Sequence, residues 1–215
     1  QVHNQILGLN FSHMDGVLGG GNNIVSLVHT RGSIDLGPSG AATLDATEAR
    51  TQGMFEKEQL TVSRLQFIDG QHTIFMSASR QWASKNLDAS EGVSFGGPTG
   101  VRAYPVGEAP SDQAHLVSAE LRYAIPNRDG RIPGSLVGAA FWDWGRAKLD
   151  KDPSAGNSTV ERNTRILSAI GLGLNWATAQ SWSAQASVAW RVQGDLVNDT
   201  VDRRPRIFAQ ITRYF

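Results

Sequence analysis

The chain contains no cysteine, which rules out disulfides and thiolate metal sites and permits an oxidising compartment without requiring one. A long apolar run is also missing, so no segment reads as a membrane-spanning helix. Net charge is absent too: 20 Lys and Arg balance 20 Asp and Glu, and nothing in that balance points to a nucleic-acid partner. Gln1 does not open the basic, then apolar, then small-residue pattern of a signal peptide. The expectation is that any such segment lies upstream or has been removed.

Low hydropathy excludes membrane helices only. Outer-membrane barrels cross with strands that alternate lipid-facing and lumen-facing residues, and so escape hydropathy windows. Glycine is plentiful at 23 residues, Ser, Thr and Asn are common, and helix-period apolar stripes are hard to find. That favours an all-β fold.

The clearest alternation runs from Trp182 to Val192, where Trp182, Ala184, Ala186, Val188, Trp190 and Val192 share one face. Before it, Ile166, Ile170, Leu172, Leu174 and Trp176 alternate with Leu167, Ala169, Gly171, Gly173 and Asn175, whose glycines leave room for something bulky on the inner face. Val117, Ala119, Leu121, Tyr123 and Ile125 alternate with Leu116, Ser118, Glu120 and Arg122. Weaker strands are read near Gln5 to His13, Asn23 to Leu36, Phe55 to Ile68, His72 to Ala83 and Leu136 to Gly145, with a last one from Arg206 to Phe215. The sum is nine antiparallel strands.

Short links at 69–71 and 177–181 alternate with long polar ones at 147–164 and 193–205. Short turns at one rim and long loops at the other fit an outer-membrane barrel. Trp82, Trp142, Trp144, Trp176, Trp182 and Trp190 are candidates for interfacial aromatic girdles. The same tryptophans also suit the core of a soluble β-sandwich, which the pattern leaves open. The chain stops at Phe215, in phase with Ile207, Ala209 and Ile211.

The segment SFGGPTGVRAYPVGEAPSDQAHLVSAELRY, Ser94 to Tyr123, carries a family resemblance. It is similar to the haemolysin activator family of two-partner secretion transporters, in which a long loop with a Val-Arg-Gly-Tyr type motif folds back into the barrel. Val101, Arg102, Ala103 and Tyr104 match that motif, and Ser118, Glu120, Leu121 and Arg122 match the run opening the next strand. Ala103 departs from the superfamily's glycine, so a positive φ there would be strained. A second motif, Phe-x-Asp-x-Gly, matches Phe141, Asp143 and Gly145.

The resemblance implies that Arg102 pairs with Asp143 across the lumen and that Phe215 is read by the barrel-assembly machinery. It implies an antiparallel transmembrane β-barrel of about sixteen strands, of which this chain supplies the C-terminal nine. Residues 1–215 would then be the C-terminal part of the barrel, with a re-entrant loop near 85–114 and with the POTRA domains and first strands absent. The implied activity is secretion and activation of a large exoprotein, a haemolysin or adhesin, across the bacterial outer membrane. The partners would be that exoprotein, outer-membrane lipids and the assembly machinery. Without the resemblance, the residues read as a glycine-rich surface loop and two unrelated charges.

Other chemistry is poorly supported. His3, His13, His29, His72 and His115 show no metal-ligand spacing, so neither a metal nor any other cofactor is expected. Ser111, Asp112 and His115 lack a nucleophile-elbow pattern, and no catalytic residue is assigned. A passive porin or an outer-membrane hydrolase are the alternatives. Gly16 to Gly21 reads as a turn, since no helix or lysine follows to cradle phosphate.

Overall fold

In an antiparallel sheet, side-chain alternation fixes register and face together, because a one-residue slip exchanges the two faces. In the computed structural model, which describes residues 2–37, 40–108, 110–127, 130, 132–153, 163–179, 181–196 and 204–214, this pattern produces one nine-stranded antiparallel sheet. Its strands are β1 (Val2–Asp15), β2 (Gly21–Ile34), β3 (Gly53–Phe67), β4 (His72–Ala83), β5 (Gln113–Ile125), β6 (Ser135–Lys148), β7 (Thr164–Ala177), β8 (Trp182–Gln193) and β9 (Arg206–Arg213). Each pairs with its sequence neighbours in the order β1 to β9, and the sheet is not closed. The expected all-β fold class is borne out as a partial barrel. Spanning a hydrocarbon layer takes about 9–11 tilted residues, and β1 with 14 and β3 with 15 are long enough for that.

Several strands run further than the sequence suggests. β6 continues to Lys148 because Ala147 and Lys148 pair with Arg165 and Thr164, a ladder that charged residues conceal. β2 instead stops at Ile34, two residues before Leu36. A short helix, α1 (Gly40–Thr47), stands in the link between β2 and β3, where no helix is expected. Its end is held by Asp45, whose carboxylate accepts the backbone N–H groups of Thr51 at 2.9 Å and Gln52 at 3.0 Å.

The links segregate by length. Those joining β1 to β2, β3 to β4, β5 to β6 and β7 to β8 leave from one rim and are short, and those joining β2 to β3, β4 to β5, β6 to β7 and β8 to β9 leave from the other and are long. The first short link contains a 3-10 turn at Val17–Gly19, with Leu18 at φ 52°.

The two faces differ in chemistry. Outer positions on β7 carry Ile170, Leu172 and Leu174, with Leu172 56% exposed, and Trp142 and Trp190 are 43% and 42% exposed. Rows of exposed apolar side chains on one sheet face exceed what a soluble monomer tolerates. Trp176 and Trp182 stand near the short-turn rim, whereas Trp142 is mid-strand and Trp144 also stands back from the strand end, so the tryptophans do not all lie at strand ends. On the inner face sits the core: Phe95, Val101, Ala103 and Tyr104 from the long link pack on Ala114, Phe141, Ala147, Leu167, Ala169 and Ala189.

Candidate functional site

The link 84–112 folds onto the inner face. Its neck is a two-bond bridge, with Val93 N donating to Ser111 O at 2.9 Å and Ser111 N to Val93 O at 3.2 Å. The tip closes on itself: Val101 N donates to Phe95 O at 3.0 Å and Gly97 N to Tyr104 O at 3.0 Å. Gly97 has φ 94°, and a Cβ on Gly100 would lie 2.5 Å from Phe95 O, so both positions require glycine. Ala103 is absent from the positive-φ residues and is 1% exposed, so the departure from glycine is accommodated without strain.

Strand pairing prepares the surface that receives this tip. Ser118 stands opposite Asp143 and Glu120 opposite Phe141, so all four share the inner face. Phe141 stands opposite Gly171, where a Cβ would come within 2.3 Å of Phe141 Cζ. The absent side chain lets the ring lie down, and Arg102 stacks on it with Cζ 3.4 Å from the ring centroid. Gly145, two residues beyond Asp143, yields its space to Phe95, whose Cε2 would sit 2.4 Å from a Cβ there. Within the Phe-x-Asp-x-Gly motif, the phenylalanine is therefore a platform, the aspartate an acceptor and the glycine a gap.

Asp143 takes the planar fork of Arg102, with Nε to Oδ2 and Nη2 to Oδ1 both at 2.8 Å, and the Arg102 backbone N–H adds a bond at 3.1 Å. Ser118 Oγ donates to Asp143 Oδ1 at 2.8 Å. Arg102 Nη1 reaches Glu120 Oε1 at 2.6 Å, and Glu120 Oε2 accepts Arg122 Nε at 2.7 Å. Two cations and two carboxylates therefore alternate in a row, with the Arg102 and Asp143 side chains 13% and 2% exposed. Bidentate geometry and balanced charge fix orientation as well as position.

Two further attachments hold the loop, and the first has no counterpart among the sequence candidates. Glu91, near the loop's start, pairs with Lys57 Nζ at 2.8 Å and accepts from Asn4 Nδ2 at 2.7 Å. Burial pushes the Glu91 carboxyl up, but those two donors outweigh it and hold it below its ordinary value. At the other end, the Tyr104 hydroxyl lies against the carbonyls of Gln193 and Gly194, and burial pushes its pKa up to about 12. The loop thus spans the inner face from β1 to the end of β8. Ser118 is visible in the family run, but Phe95, Glu91 and Lys57 carry no local signal.

Sequence candidates separate accordingly. Val101, Arg102, Tyr104, Glu120, Arg122, Phe141, Asp143 and Gly145 gather in one place on the inner face. Phe215 lies outside the described residues. His115 is paired with Arg146 on the outer face, away from buried Ser111 and Asp112, so the three do not meet as a hydrolase constellation. Among the described residues no group of three His, Cys, Asp or Glu could hold a metal.

No family model matches the chain. The heme/hemopexin transporter protein HuxB of Haemophilus influenzae is 26% identical over 147 residues, covering 68% of this chain and 25% of that protein. A further HuxB sequence from the same species is 30% identical over 118 residues, covering 55% of this chain and 20% of the relative. The structure of CdiB from Escherichia coli superposes with a TM-score of 0.67 at 18% identity, over 97% of this chain and 36% of that one. The resemblance to two-partner secretion transporters holds. The likeness to CdiB is one of fold, and the chain spans about a quarter of the length of the curated relatives it matches.

Proposed function

We propose that this chain is the C-terminal part of an outer-membrane transporter that secretes and activates a large partner exoprotein. The observation that carries the reading is the Arg102 fork on Asp143: a long loop is folded into the sheet and held there by a charged, oriented contact that a passive pore has no reason to keep. In this reading the outer face meets lipid of the bacterial outer membrane, the long links face outward and the short turns face the periplasm. The protein conducts an unfolded chain and performs no catalytic step of its own. Similarity to HuxB and CdiB supports the class of cargo, a secreted protein, without naming it.

The test is genetic and direct. Deleting the gene should leave its partner exoprotein inside the cell envelope, and restoring the gene should return it to the medium. Undiminished secretion from the deleted strain would overturn the proposal.

A further inference from the structure

Arginines on the outer face of β1 to β6 fall into two kinds. Those on β2 and β3 are answered by carboxylates of the chain itself: Arg64 grips Asp15 at 2.7 and 3.0 Å, and Arg31 stands 3.8 Å from Glu56. Glu58, the other outer-face acid at that height, stands 3.7 Å from His29. Arg80 on β4 and Arg146 on β6 have no carboxylate at ion-pair distance among the described residues.

Register gathers these two cations. Arg80 stands opposite His115, and His115 opposite Arg146, and all three are exposed. The arginines are therefore two strand spacings, about 10 Å, apart. Their charges repel each other, more strongly at the edge of a low-dielectric layer than in water, and an anion between them turns that repulsion into attraction. The His115 ring can donate an N–H to the same anion. On either side the row continues as Leu60 on β3 and Ile166 on β7, so the cationic stretch is three strands wide.

Toward the short-turn rim the same face becomes apolar at once. The next row is Ala78, Val117 and Trp144, and the one after it Met76, Ala119 and Trp142, with Met76 42% and Trp142 43% exposed. Cations thus sit at the long-link end of an apolar surface, where a charge on a lipid-facing position is least costly. A phosphate group directly above hydrocarbon chains is complementary to both parts.

We infer that Arg80, His115 and Arg146 bind the phosphate of a lipid in the outer leaflet, whose acyl chains lie on the apolar rows beneath. Such a site depends on the outer face meeting lipid with the long links outward, as proposed above, and not on export.

Native mass spectrometry of the full-length protein in a neutral detergent tests this, with lipid A bearing its phosphates as the probe. Bound lipid should appear, and the same lipid stripped of phosphate should bind about tenfold more weakly or less. Arg80→Gln combined with Arg146→Gln should weaken lipid A binding by about tenfold or more. Arg80→Lys with Arg146→Lys should retain most of it, which separates lost charge from lost folding. Arg31→Gln, on the same face but already paired, should leave binding within about twofold. Inorganic phosphate at matching concentration should not displace the lipid; displacement would show a site for soluble anions and overturn the assignment. Absent lipid A binding, equal binding of the stripped lipid or an unaffected glutamine pair would overturn it too, as would dimers that dissociate in that pair, which would give the patch to a second copy. If binding follows the charges and the unaltered protein secretes no exoprotein, the lipid site stands and the transporter reading falls. If secretion proceeds and binding ignores the charges, the lipid site alone falls.

Discussion

Gly145 on β6 and Phe95 in the loop share one packing volume: a Cβ on the glycine would lie 2.4 Å from Phe95 Cε2 and 2.7 Å from Leu116 Cδ2. Phe95 is fully buried within its cluster and Leu116 is partly buried beside it, so the ring has little room to retreat. Gly145→Ala should destabilise the seated loop by about 1–3 kcal/mol, the usual cost of overpacking. Combining it with Phe95→Leu should recover part of that loss. Limited proteolysis within 84–112 measures the effect, and simple additivity of the two changes would show that the residues do not compete.

The Arg102 contact depends on shape as well as charge. Lysine keeps the charge but cannot meet Asp143 with two parallel bonds or lie flat on Phe141. Arg102→Lys should therefore resemble Arg102→Ala in loop protection more closely than it resembles the unaltered protein. Full protease protection in the lysine variant would mean that charge alone holds the tip.

Tyr104 ties the loop to the end of β8 through its hydroxyl, and Tyr104→Phe should cost about 0.5–1.5 kcal/mol for the lost hydrogen bond. Its hydroxyl pKa is raised to about 12, above an ordinary value of 10.0. The stability tied to this raised value is therefore complete below pH 10 and fades as pH rises through about 12. Spectroscopic titration of tyrosine should show the same curve below about pH 11 for the phenylalanine variant as for the unaltered protein. Loss of a titrating group near pH 10 in the variant would contradict the burial of this hydroxyl.

Asp112 ties the loop's neck to its own start and to the link after β6, accepting Leu87 N at 3.0 Å and Lys151 N at 2.8 Å. Burial raises its pKa to about 6, with Asp150 and Asp152 adding to the shift against the two N–H donors. A raised carboxyl binds its proton more tightly when folded. The contribution is present in full below the ordinary 3.8 and is lost as pH rises through about 6. Hydrogen exchange at Leu87 and Lys151, corrected for intrinsic rate, should show better protection at pH 5 than at pH 7.5. Equal corrected protection at both would remove Asp112 as the cause.

The strands are legible in the sequence because period-two alternation survives wherever the two faces meet different solvents, as in Trp182 to Val192. It fades at β6, where Arg146 and Lys148 extend the strand past its apolar stretch, and at α1, whose Gly40-Ala-Ala-Thr start has no apolar stripe. Asp143 and Arg102 can be linked only through a family motif, since nothing local couples residues 41 apart. Gly171 signals a bulky neighbour without naming Phe141, which only the register supplies. Glu91 and Lys57 give no sign, because an ion pair across 34 residues leaves no periodic trace.

The most direct test of the central claim is secretion of a partner exoprotein by the full-length protein carrying Arg102→Ala, Asp143→Ala, or both. Removing one partner of a buried ion pair costs roughly 3–5 kcal/mol when burial is deep, so each single change should lower export about tenfold or more while the barrel remains inserted. The double change should be no worse than the poorer single one, because both remove the same contact. Undiminished export by both single variants would contradict the account.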